Sequence, residues 1–160
     1  MKTKIIHITT EVYESVLQLP KNIQELFNKA HQAREQAYAP YSRFKVGAAI
    51  LLDSGEIVVG NNQENAAYPS GLCAERVAAY TAAANFPNQK ITALAVVVGS
   101  HKEYLQKPAA PCGSCRQSLY EFEEKQKEPF SIFFPGEAGT IIKVNSVADL
   151  MPFAFGPDSL

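Results

Sequence analysis

Ile23, Leu26, Phe27 and Ala30 follow Pro20 at helical spacing and predict an amphipathic helix with Pro20 in its first turn. That helix should stop before Ala39-Pro40, because the residue ahead of a proline is pushed out of the helical region. Phe44 to Leu52 is dense in apolar residues and reads as a central strand. Asp53-Ser54-Gly55 then turns tightly into a second strand, Glu56 to Gly60. Residues 61–71 are polar and irregular, the kind of loop in which binding residues collect. An alanine-rich helix follows from about Cys73 to Ala84, and the nearly all-apolar run Ile91 to Gly99 predicts a strand buried on both faces. A second helix, Gly113 to Lys125, leads to strands Phe130 to Phe134 and Thr140 to Val144, then a short helix, Val147 to Leu150.

The order β-β-α-β-α-β-β implies a three-layer α/β/α domain around a five-stranded mixed sheet. A parallel crossover needs a dozen or more residues. Pro135 to Gly139 supplies only five, so the last two strands should be antiparallel. Residues 1–19 read as an extension ahead of the domain at 20–160. The extension has a β-prone piece around Lys4 to Thr9 that could add an edge strand, a dimer contact or nothing.

At 160 residues the chain can bury a proper core, and 46% hydrophobic with 19% charged residues is globular composition. A net charge of -1 argues against a protein that neutralises a phosphate backbone, so no nucleic-acid partner is expected. The basic start lacks a sustained apolar segment, and no apolar run approaches the roughly 18 residues of a membrane span. A cytoplasmic location is expected.

The three cysteines change this picture. Cys73-Ala74-Glu75 is followed by Pro111-Cys112-Gly113-Ser114-Cys115, and no cysteine is left over. Thiols at i and i+3 share one face of a helical turn. With a third from elsewhere they make a three-ligand zinc site whose fourth position stays open, as catalytic rather than structural sites do. A redox pair at Cys112 and Cys115 would leave Cys73 and Glu75 without roles. Three buried structural cysteines, or a closed site completed by His7, His31 or His101, are the other readings, but none of these histidines stands in metal-type spacing with a cysteine. A ligand-x-Glu element paired with Pro-Cys-x-x-Cys is the signature of zinc deaminases, here in its all-cysteine version.

The ordered set Tyr41-Ser42-Arg43-Phe44, Val46-Gly47-Ala48-Ala49, Asn62-Gln63-Glu64-Asn65-Ala66, Tyr68-Pro69, Cys73-Ala74-Glu75-Arg76, Pro111-Cys112-Gly113-Ser114-Cys115-Arg116-Gln117 and Phe155-Gly156-Pro157 resembles the cytidine deaminases of the small, free-nucleoside, homotetrameric type. The resemblance implies a cytidine deaminase-like fold, one Zn²⁺ per subunit on Cys73, Cys112 and Cys115, and hydrolytic deamination of cytidine and 2′-deoxycytidine. Glu75 would be the acid/base and not a ligand, working beside a water whose pKa zinc brings toward ~7. Arg76 would draw charge off the thiolates, with Arg116 sharing that task or holding an interface. The main-chain groups of Ala74 and Ala110 would orient the base, Phe44 would pack on base or sugar, and Asn62 and Glu64 would read a sugar hydroxyl. Ala66, Tyr68 and Phe155 would reach a neighbouring subunit's site. Blasticidin S deaminases share the zinc motifs and give an alternative substrate. The short hairpin at 135–139 favours the free-nucleoside branch over polynucleotide editors.

Overall fold

A computed structural model describes residues 1–99 and 105–160. Helix α1 (Lys21–Glu35) starts at Pro20 and buries Ile23, Leu26, Phe27, Ala30 and Ala33. Strand β2 (Val46–Leu52) pairs antiparallel with β3 (Ile57–Asn61) on one side and with β4 (Ile91–Val98) on the other. The β2–β3 turn needs a left-handed residue, and Gly55 provides it at φ 87°. Helix α2 (Ala74–Asn85) links β3 to β4, and α3 (Gly113–Gln126) links β4 to β5 (Ser131–Pro135). Strands β4 and β5 run parallel, with Ala93 opposite Ser131. β5 and β6 (Ile141–Val144) are antiparallel, as the five-residue connection requires.

The alternation along β4 separates the two cores. Leu94 and Val96 face the core roofed by α2 and α3, whereas Ala93, Ala95 and Val97 face α1. Phe27 of α1 meets Phe133 of β5 edge-on at 6.3 Å between ring centroids. The layers are therefore α1, sheet, and α2 with α3.

The sheet has six strands rather than five, with an edge strand β1 (Glu11–Tyr13) added in the order β1-β6-β5-β4-β2-β3. The added edge strand β1 is Glu11–Tyr13, not the stretch around Lys4 to Thr9, which is exposed throughout. Position 11 wins because it stands opposite Lys143, so that the Glu11 carboxylate accepts from Lys143 Nζ at 2.6 Å, while Tyr13 packs on the core under α1.

Two glycines set how closely helices lie on the sheet. A Cβ on Gly47 would stand 2.1 Å from the Ala30 carbonyl oxygen of α1. A Cβ on Gly60 would stand 2.4 Å from the Ala78 nitrogen and 2.5 Å from the Ala74 oxygen of α2. The alanines of α2, with Ala74, Ala78, Ala79 and Ala82 all buried, complete the close approach from the helix side. Backbone stands against backbone here, so Gly60→Ala must push α2 outward. We expect that substitution to cost about 1–3 kcal/mol in chemical unfolding and to lower bound zinc, because it moves the turn carrying Cys73 and Glu75.

Candidate active site

Both cysteine motifs sit at helix starts. Cys73 precedes the first residue of α2, Cys112 precedes the first residue of α3, and Cys115 is buried in the first turn of α3. The Sγ atoms of Cys73 and Cys112 are 3.9 Å apart, those of Cys112 and Cys115 are 3.6 Å apart, and all three lie within 4.8 Å of one another. A tetrahedral ion with Zn–S bonds of about 2.3 Å separates its sulfurs by about 3.8 Å. The spacing fits zinc. Among the described residues neither His7 nor His31 joins the group, and His101 lies outside the described residues.

Charge in the cluster is uneven. Cys73 is brought down to about 5, first by its pairing with the Cys115 thiol and also by the Arg76 guanidinium, and that same pairing pushes Cys115 up. Arg76 Nη2 stands 3.8 Å from Cys73 Sγ, and its buried Nε has no hydrogen-bond partner among the described residues. A fixed cation held against sulfurs in this way favours thiolates. Arg116 does something else. Its Nε donates to the Pro111 carbonyl at 2.7 Å and its Nη1 to the Leu150 carbonyl at 2.9 Å, so it clamps the cysteine loop to the C-terminal segment.

Glu75, in the first turn of α2, is only 5% exposed. Burial raises its carboxyl pKa, with the neighbouring Cys73 charge adding to the effect. It opens onto a cavity of about 290 Å³ whose walls include Phe44, Asn62, Glu64, Cys73, Ala110 and Cys112. Phe44 is thus a cavity wall, 44% exposed, and not a core ring. Ala74 is fully buried, and as the first residue of α2 its N–H has no acceptor within the helix.

The polar readers are already engaged. Asn62 Oδ1 accepts from Val46 N at 2.8 Å and Asn62 Nδ2 donates to the Phe44 carbonyl at 2.9 Å. An amide keeps a second donor and a second lone pair after these bonds. Glu64 Oε2 accepts from Tyr41 N at 2.9 Å and Ser42 N at 3.2 Å, while its Oε1 accepts from the Ser42 hydroxyl. These bonds, the Ser42 hydroxyl above all, hold the Glu64 carboxyl below its ordinary range. Sequence reasoning gave Ser42 no role. Its signal was a hydroxyl two residues before the cavity aromatic.

Tyr68 lines an adjoining cavity of about 440 Å³ together with Arg76, and its ring lies 5.9 Å from that of Tyr41. Two expected residues are not brought to these cavities. Ala66 is exposed on the loop, and Phe155 is exposed in the tail, where its carbonyl accepts from Gln117 Nε2 at 2.9 Å.

The family model for the cytidine and deoxycytidylate deaminase zinc-binding region matches residues 20–128, a span containing all three cysteines and Glu75. The chain belongs to this deaminase family. A cytidine deaminase of Sporosarcina psychrophila is 38% identical over 139 residues, 87% of this chain and 95% of that one. A cytidine deaminase of Mycobacterium tuberculosis is 41% identical over 135 residues, 84% of this chain and 90% of that one. The crystal structure of cytidine deaminase from Burkholderia pseudomallei superposes with a TM-score of 0.69 at 40% identity, covering 82% of this chain and 98% of that one. β1 precedes the span that the family model matches.

This deaminase-family chain thus carries a zinc-binding region with the cluster Cys73, Cys112 and Cys115. Among the described residues no helix is long and apolar enough to cross a membrane. Purified protein should contain one zinc per chain by atomic absorption. In Cys112→Ser, with one thiolate fewer, metal content should fall to below about a tenth.

Proposed function

We propose that this protein is a zinc-dependent cytidine deaminase that converts cytidine and 2′-deoxycytidine to uridine and 2′-deoxyuridine with release of ammonia. The observation that carries the reading is the buried carboxyl of Glu75, opening onto a nucleoside-sized cavity beside three sulfurs that leave a tetrahedral ion one open position. Zinc, when bound, supplies a Lewis acid that acidifies water at neutral pH.

Glu75 takes the proton from the attacking water and delivers it to N3 of the pyrimidine, so that C4 becomes electrophilic and accepts the oxygen. The second proton passes through Glu75 to the exocyclic nitrogen, the C4–N bond breaks, and ammonia leaves. Burial supports this work, because a carboxyl raised above its ordinary range holds a proton more readily. The main-chain N–H of Ala74 and carbonyl of Ala110 orient the base, and Phe44 packs against it. Asn62 and Glu64 read a sugar hydroxyl with the valences their bonds within the chain leave over, and a nucleoside without that hydroxyl leaves those valences unfilled at a cost. Arg76 balances the thiolate charge.

The assembly is a homotetramer in which Ala66, Tyr68 and Phe155 face a neighbour's site. Supporting it are Phe155, which is 58% exposed and lines neither of the two cavities described above, and Tyr68, which is 74% exposed.

An ultraviolet assay of cytidine loss tests the reading directly. Glu75→Gln keeps the shape of the site but cannot carry protons. It should retain zinc while turnover falls by about 10²–10⁴-fold. Full activity in that variant would overturn the assignment.

A further inference from the structure

Three side chains assigned to the nucleoside, Phe44, Asn62 and Glu64, are joined through a residue with no assigned role. The Ser42 hydroxyl donates to Glu64 Oε1 and accepts from Phe44 N at 3.0 Å. A hydroxyl has one donor and two lone pairs, so its donor and one of its lone pairs are spent on this link. On the other side of Phe44 its carbonyl is held by Asn62 Nδ2 at 2.9 Å. The result is a chain of hydrogen bonds from Glu64 through Ser42 and the Phe44 backbone to Asn62. Between Ser42 and Phe44, Arg43 takes a left-handed conformation with φ 57°, which is unfavourable for a residue with a Cβ. It is fastened on both flanks, by the Ser42 N–H to Glu64 and the Phe44 N–H to Ser42. Ser42 is itself exposed and lines both cavities, so this link stands in the cavity wall and not in the core.

We propose that Ser42 is the positioning residue for sugar recognition, presetting the Glu64 carboxylate and the Phe44 ring in the arrangement a nucleoside meets. With the Tyr41 and Ser42 N–H groups on Oε2 and the Ser42 hydroxyl on Oε1, the loop fills three of the four acceptor sites of the carboxylate and leaves one, on Oε1, for the sugar. Binding then needs no reorganisation of the 41–44 loop, and a misplaced carboxylate is the expected consequence of removing the hydroxyl. The assignment rests on the sugar-reading role of Asn62 and Glu64 given above. Because both cytidine and 2′-deoxycytidine are substrates in that reading, the hydroxyl in question is the 3′ or the 5′.

The test compares steady-state kinetics on cytidine, 3′-deoxycytidine and 5′-deoxycytidine for the zinc-loaded wild type, Ser42→Ala, Ser42→Thr and Glu64→Ala. In Ser42→Ala, KM for cytidine should rise about tenfold, with kcat and zinc content far less affected. The preference for cytidine over the deoxy analogue that wild type discriminates against should shrink toward that of Glu64→Ala. Ser42→Thr, which keeps the hydroxyl, should restore the preference. A merely structural role would lower stability or kcat without moving that ratio. If Ser42→Ala keeps the wild-type preference while Glu64→Ala loses it, the positioning role is overturned and the sugar reading stands. If Glu64→Ala also keeps it, the sugar reading fails and the Ser42 assignment falls with it.

Discussion

Three sulfur atoms held within 4.8 Å of one another cannot all carry charge unless a cation stands among them, and most of the fold serves to hold them there. Left to themselves the thiols divide the burden unequally, with Cys73 brought down and Cys115 pushed up by their pairing. The helix starts at residues 73 and 112 offer partial positive charge, and Arg76 offers a full one. Neither compensates three thiolates in a space this small. A divalent ion does, and an ion with three protein ligands has a position left for chemistry. Structure and catalysis thus share one electrostatic requirement.

Meeting that requirement depends on bringing two helices to the sheet at fixed height. α2 has almost no side-chain bulk on its inner face, only alanines and the Glu75 carboxyl, and Gly60 beneath it removes the last obstruction. A bulkier interface would push α2, and with it the Cys73 turn, away from the sheet and disturb the spacing of the sulfurs. The close approach also explains why Glu75 is buried: it lies in the first turn of a helix that has no room beneath it. Its raised pKa is a consequence of packing as much as of local sequence.

Most of the layered fold was legible because period and loop length speak directly. The helix after Pro20, the doubly buried β4 and the antiparallel closing pair all follow from apolar spacing or from a connection too short to cross over. The edge strand was only partly legible: the β-prone run at Lys4 to Thr9 could have added one, a dimer contact or nothing, and the strand forms a few residues later, at Glu11–Tyr13. What decides the pairing is the partner, Lys143 opposite Glu11, which stands 132 residues away in sequence. The metal ligands were legible for the opposite reason, since their spacing is local and their chemistry narrow. Ser42 was not, because a serine in a loop acquires meaning only when Glu64 and the Phe44 backbone arrive on either side of it. Arg116 likewise could be assigned only once both carbonyls it holds were in place.

α3 also links the metal cluster to the end of the chain. Within three consecutive residues of its first turns, Cys115 joins the sulfur cluster, Arg116 holds the Leu150 carbonyl and Gln117 holds the Phe155 carbonyl. Farther along the same helix the buried Glu123 carboxylate accepts from Val147 N at 2.9 Å and from Phe130 N at 3.2 Å. The C-terminal segment is therefore fastened to α3 at both ends of the helix, although the segment buries little of its own. Its backbone path is set by donors whose positions depend on the helix start, and the helix start is set by the cysteines. A tail so anchored carries Phe155 exposed at the surface, with its carbonyl held to α3 by Gln117. The cost of ordering this segment is offset by bonds within the chain.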